Sequence, residues 1–204
     1  MNGPTIELME NPSKYVGNEL EYVRKVLDSE YWSSTEGSWN KHLEEQFCKV
    51  FETNYAVAMN SGTSAIHATL EAMGVGSGDE VLSPALTVVM DSTATIHANA
   101  VPVFVDVDAD TLTIDPEDLK RKITSKSKAL IIVSLYGLPA EMDALMSIAR
   151  EHDLKVIEDN CQCVLSTYND QLVGQFGDAA IYSFENTKHI SCGEGGMVTT
   201  NDKV

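Results

Sequence analysis

The sequence predicts an α/β fold on a mostly parallel sheet, and three observations carry that expectation. Short apolar runs alternate along the chain with amphipathic stretches of helical period. The run Ala129-Leu-Ile-Ile-Val133 is apolar at every position, as a strand covered on both faces requires. The chain of 204 residues, 43% of them apolar, is long enough to bury a sizeable core.

The elements are expected in the following order. After a polar N-terminal arm, Leu20, Val23, Val26 and Leu27 recur at helical spacing behind Asn18, which is expected to cap that helix. Trp39, Leu43, Phe47, Val50 and Phe51 form a second helical stripe. Strands are expected at Tyr55–Met59, Glu80–Pro84, Val101–Val107, Lys128–Ser134, Leu154–Glu158, Ala179–Phe184 and Met197–Thr200. Helices are expected between them, around Ser64–Met73, Met90–Ala98, Pro116–Ile123 and Glu141–Glu151. No internal repeat, low-complexity tract or linker is visible.

Composition narrows the function classes. A net charge of −17, with no cluster of Lys and Arg, argues against a nucleic-acid surface, which must neutralise phosphates. No apolar run approaches the roughly 20 residues of a membrane span, and the N-terminus lacks a basic region followed by an apolar stretch. Four cysteines do not make a disulfide scaffold, so a cytoplasmic location is expected. Cys161 and Cys163 form a CxC pair, but no second pair stands at metal-ligand spacing.

Three segments carry candidate chemistry. Asn60-Ser-Gly-Thr-Ser64 lies between an expected strand and an expected helix. Free N–H groups and the dipole make such a junction an anion site, and Gly62 permits close approach. Taken alone, the simpler reading is a capped helix. Asp159 ends a buried-type strand, where ligands of open α/β sheets bind, with Gln162 three residues on. It could hold a pyridine nitrogen protonated, and Gln162 could reach a ring hydroxyl; alone, Glu158-Asp159 reads equally as a loop start. Lys188 stands between an apolar strand and the glycines at 193, 195 and 196, with Ser183 five residues upstream. An exposed lysine, with a pKa near 10.4, is a poor nucleophile at neutral pH; burial or a neighbouring cation frees the amine. A lysine, an acid at a strand end and a phosphate-type helix start are the parts that pyridoxal phosphate (PLP), an aldehyde with a phosphate tail, needs. His67, His97 and His152 fall in helical stretches as packing or surface residues, and His189 is a candidate for facing the substrate.

From about Trp32 onward the sequence resembles the DegT/StrS-type sugar aminotransferases of PLP fold type I. The stretches that carry the resemblance are Asn60–His67, Val101–Asp108, Tyr136-Gly-Leu-Pro139, Val156–Asp159 with Gln162, and Ser183–Gly196. The resemblance implies an aspartate-aminotransferase-like large domain, three layers α/β/α over a mostly parallel mixed sheet. It implies an N-terminal arm and helix over residues 1–30, a cofactor domain over 31–204, and truncation before a small C-terminal domain. Lys188 would hold the cofactor covalently and shuttle the proton. Asp159 would pair with the pyridine nitrogen and Gln162 with the ring oxygen. Gly62, Thr63, Ser64 and Ser183 would hold the phosphate. The substrates implied are a nucleotide-linked keto-sugar and an amino-acid donor, with glutamate expected, in a homodimer whose active site lies at the interface. Residues 1–204 alone are then expected to be inactive. The alternatives are a PLP-binding regulatory or inactive relative and the family's keto-sugar dehydratase branch, which carries histidine at the lysine position. Two local departures stand out: Val88 where the family commonly has an aromatic residue stacking on the ring, and Asn160-Cys-Gln-Cys-Val-Leu165 where small residues and a histidine–glycine pair are usual.

Overall fold

The computed structural model describes residues 17–30, 33 and 35–203. The expected polar arm over residues 1–16, and Trp32, lie outside the described residues. The chain forms two compact units, residues 1–42 and 43–204.

In the first unit, α1 (Glu19–Leu27) carries a Glu21–Lys25 ion pair at 2.6 Å, and Tyr22 meets Trp39 edge-on at 6.2 Å. The expected capping by Asn18 is not made: its side chain forms no cap hydrogen bond. Glu19 instead receives the Gly17 N–H at 2.9 Å, acting from the first turn, where a carboxylate also favours the helix dipole. Nor does the apolar stripe of α1 form a core, since none of its residues is buried and Leu20 is 81% exposed.

The second helix, α2 (Trp39–Phe51), leads into the second unit. Of its expected stripe only Phe47 and Phe51 are buried; Leu43 and Val50 remain exposed. These two rings stack at 5.3 Å and meet Tyr182 at 5.5 and 4.6 Å, an aromatic cluster that Phe184 and Met197 complete. Burying each phenylalanine contributes about 1.5–3 kcal/mol.

A seven-stranded sheet is the centre of this unit. Its strands are β1 (Tyr55–Met59), β2 (Glu80–Pro84), β3 (Val101–Val105), β4 (Ser127–Val133), β5 (Lys155–Asp159), β8 (Ala179–Ser183) and β9 (Gly196–Thr200). They lie in the order β1-β9-β8-β5-β4-β2-β3. β9 runs antiparallel to both neighbours and all other pairs are parallel. Each expected strand and helix is present, with no end displaced by more than two residues. The last two residues expected in β3 leave the ladder, and Val107 bridges Ile114 instead. A short hairpin, β6 (Thr167–Tyr168) and β7 (Gln171–Leu172), was not anticipated.

Helices cover both faces, and the run through β4 shows how. Ile131 and Val133 join Ile66, Leu70 and Ala94 under α3 (Gly62–Ala72) and α4 (Met90–His97). Leu130 and Ile132 join Leu119, Leu145 and Ile148 under α5 (Pro116–Lys122) and α6 (Met142–Glu151). Successive residues of one strand therefore feed opposite layers, so every position must be apolar. At α5 the local code is direct: Asp115 accepts the Glu117 N–H at 2.9 Å, Pro116 opens the helix, and Lys120, Arg121 and Lys122 fill its last turn.

The end of β5 is built by two buried acids with different tasks. Glu158 accepts the N–H groups of Gly174, Phe176 and Gly177, each at 2.7 Å. Burial pushes its carboxyl up, while those three donors pull it down. Glu158→Ala orphans all three N–H groups and is expected to cost about 3–5 kcal/mol. Urea unfolding checks this; a loss under about 1 kcal/mol would mean that solvent replaces the carboxylate.

Candidate active site

Three segments meet at the carboxyl edge of the parallel strands, the edge at which open α/β sheets bind ligands. Asp159 is the last residue of β5, buried, with Oδ1 accepting the Cys161 N–H at 2.9 Å. Ser183 is the last residue of β8, and β1 hands over to α3 at Asn60-Ser61-Gly62.

The start of α3 is tightly organised. Ser61 caps the helix, accepting the Ser64 N–H at 3.1 Å, and the two hydroxyls lie 2.7 Å apart. Ser64 Oγ donates onward to Asn60 Oδ1 at 2.6 Å. A Cβ at Gly62 would lie 3.0 Å from Cys161 Sγ and 3.1 Å from Ser183 Cβ. The first turn of α3 therefore sits directly against the ends of β5 and β8. A Cβ at Gly196 would lie 2.6 Å from the Ser61 carbonyl, so β9 presses its backbone on the same turn. Thr63 lies half-buried within that turn.

Lys188 is half-buried on the loop that joins β8 to β9. Phe184 N–H donates to Gly195 O at 2.9 Å, Cys192 N–H to Phe184 O at 3.1 Å, and Lys188 N–H to Glu185 O at 3.0 Å. The loop is thus closed by its own backbone, and the lysine side chain is free of any role in holding it. Lys188 and Asp159 converge on Cys161: burial pushes that thiol up, Asp159 adds to the rise, and the Lys188 charge opposes it. Gly62, Asp159 and Ser183 therefore meet around Cys161, within range of the Lys188 charge.

The sequence profile of the DegT/DnrJ/EryC1/StrS aminotransferase family matches residues 14–204. The chain belongs to this family. It is 41% identical over 187 residues to the GDP-perosamine synthase of Escherichia coli O157:H7, covering 92% of this chain and 51% of that protein. It is also 41% identical over 203 residues to the pleiotropic regulatory protein of Geobacillus stearothermophilus, covering 99% and 54%. The structure of NtdA from Bacillus subtilis, solved with bound cofactor PMP, superposes with a TM-score of 0.83 at 30% identity, covering 93% and 43%. The chain spans about half the length of the curated relatives it matches. The α/β/α layering with one antiparallel strand is the architecture expected of the family's large domain. Among the described residues no helix is long and apolar enough to cross a membrane.

Two further residues that the DegT-family resemblance singled out are placed as follows. Gln162 Oε1 accepts the Tyr136 N–H at 3.2 Å, which leaves its NH2 as the end available to a ligand oxygen. Val88, ahead of α4, is 39% exposed. His189 is exposed beside the lysine. Sequence reasoning missed Asp91, fully buried in the first turn of α4. Thr87 Oγ1 donates to its Oδ2 at 2.7 Å. The one available signal was a threonine four residues before an acid. A separate cavity of about 410 Å3, lined by Val57, Met59, Ala72, Met73 and Val198, opens at the opposite edge of the sheet, near Lys155 and Ala179 where β5 and β8 begin. Its walls are mostly apolar and hold none of the site residues.

Proposed function

We propose that this chain is the cofactor-binding part of a PLP-dependent aminotransferase that transfers an amino group to a nucleotide-linked keto-sugar, with glutamate as donor. One observation supports the reading most: Asp159, Ser183 and the first turn of α3 meet at Cys161 on the carboxyl edge of the sheet, within range of the Lys188 charge. The residues fit the cofactor. The start of α3 and the hydroxyls of Thr63, Ser64 and Ser183 suit a phosphate, and Gly62 lets that turn lie close against Ser183. A buried carboxyl at Asp159 suits a protonated ring nitrogen, and the Gln162 NH2 suits the ring oxygen.

When bound, the cofactor supplies an electron sink. Asp159 would keep the ring nitrogen protonated and so strengthen that sink. Lys188 would hold the cofactor and, when free, would carry a proton at Nζ. The name of the Escherichia coli relative supports a GDP-linked substrate. The division into an N-terminal arm and helix over residues 1–30 and a cofactor domain from residue 31, a homodimer completing the site, and a cytoplasmic location belong to the same proposal. The described cysteines, all free, favour the last.

The test is amino transfer. The full-length protein with PLP, glutamate and a GDP-linked keto-sugar is expected to release 2-oxoglutarate in step with aminated sugar nucleotide. A protein that binds PLP yet turns over no keto-sugar nucleotide would favour the regulatory reading, which the Geobacillus relative's name suggests.

Val88 offers a second measurement. Its exposure leaves room for a larger side chain, so Val88→Phe or Val88→Tyr is expected to strengthen PLP binding by up to about 1 kcal/mol, roughly fivefold. Titration of the apoprotein with PLP reads this directly. Unchanged or weaker binding would show that residue 88 does not stack on the ring.

A further inference from the structure

Asp91 is a buried acid to which the reaction as described gives no task. It is 0% exposed, in the first turn of α4. Its Oδ2 accepts the Thr87 hydroxyl, while its Oδ1 is buried without a hydrogen-bond partner. The side chain that acts on it most directly is that of Asp159, itself buried at the end of β5. Two carboxylates that interact out of water do not both stay charged; such pairs share a proton. Geometry decides which acid carries it. Asp159 already receives the Cys161 N–H, a donor suited to a carboxylate. Asp91 has an oxygen with no donor, which is where a proton completes the contact.

We propose that Asp91 is a positioning residue: its protonated carboxyl donates a hydrogen bond to Asp159 and, with the Cys161 N–H, fixes that carboxylate for the cofactor nitrogen. The proposal rests on the reading of Asp159 as the nitrogen's partner. The titratable groups facing the pair are Cys161, from the turn after β5, and Lys188, whose charge reaches Cys161. Burial and the Asp159 charge both push the Asp91 carboxyl well up, in agreement with the geometry. The arrangement has a chemical purpose. A second negative charge beside the ring would hold the nitrogen's proton too firmly; a neutral donor orients Asp159 without adding charge.

Two measurements test this. The first needs no cofactor. Infrared spectra of the apoprotein at neutral pH are expected to show a protonated-carboxyl band that Asp91→Asn removes. Loss of no band in Asp91→Asn overturns the proposal, whatever the cofactor does. The second uses PLP-loaded protein. Asparagine keeps a neutral donor, so Asp91→Asn is expected to leave the pH midpoint of the lysine-bound cofactor's absorbance within about 0.3 units of wild type. Asp91→Ala, which removes the donor, is expected to weaken PLP binding about tenfold. A midpoint lowered by a unit or more in Asp91→Asn means a charged Asp91, and unchanged affinity in Asp91→Ala means no positioning; either overturns the proposal. Should Asp91→Ala not fold, the infrared band and the asparagine midpoint decide. If the protein binds no PLP while the band is present, the cofactor reading fails and the acid pair stands.

Discussion

Lys188→Ala is expected to abolish amino transfer, lowering turnover by about 10^4-fold or more, because in the proposed mechanism the residue would both hold the cofactor and move the proton. The same variant is expected to keep its fold and still bind PLP. The loop is closed by backbone hydrogen bonds at Phe184, Cys192 and Lys188 itself, none of which uses the lysine amine. The first turn of α3, Ser183 and Asp159 also remain. Urea unfolding should therefore place the variant within about 0.5–1 kcal/mol of wild type. Borohydride reduction of the wild-type holoenzyme should attach the cofactor to a single peptide, the one containing residue 188. A label on any other lysine would sink the assignment.

Asp159→Asn is expected to slow proton abstraction by roughly 10^3-fold, since the change removes the negative charge that favours a protonated ring nitrogen. Geometry is largely retained, because asparagine can still offer an oxygen to the Cys161 N–H. The loss should thus appear in the chemical step, measured by single-turnover absorbance, more than in cofactor affinity. Near-wild-type turnover with cofactor bound would mean that another group serves the ring nitrogen. Asp91 is the neighbour to replace next in that event.

Much of the fold was legible because each element satisfies a local rule. The unbroken apolar run in β4 shows a strand with two covered faces, and Asp115-Pro116 shows a helix start. The site segments were legible for the same reason: Ser61 caps α3, Asp159 and Ser183 end their strands, and glycines follow Lys188. What escaped depends on contacts distant in sequence. Nothing local says that β9 enters the sheet antiparallel between β1 and β8. The Gly196 requirement belongs to that placement, because the atoms a Cβ would strike are those of Ser61 and Gly62. Asp91 stands within the expected helix Met90–Ala98 with nothing local to mark it, and only its burial and the Asp159 charge give it a different character. The β6–β7 hairpin was too short for periodicity, although Asn169 and Asp170, both at positive φ, are the turn residues such hairpins use. In α1 the failure ran the other way: a regular stripe formed a helix that buries none of it.

The placement of β9 also fixes an order of events during synthesis. Strands β2 to β5 find their partners among one another as they emerge from the ribosome, whereas β1 pairs with β9 alone. Tyr55–Met59 must therefore wait for Gly196–Thr200, some 140 residues later. Pairings so distant in sequence are slow to form and leave strand edges open meanwhile. Because Gly196 presses on Ser61 and Gly62, the first turn of α3 reaches its final form in that same late step, together with the loop that carries Lys188. In the proposed reading, cofactor binding would thus wait until β1 is captured by β9.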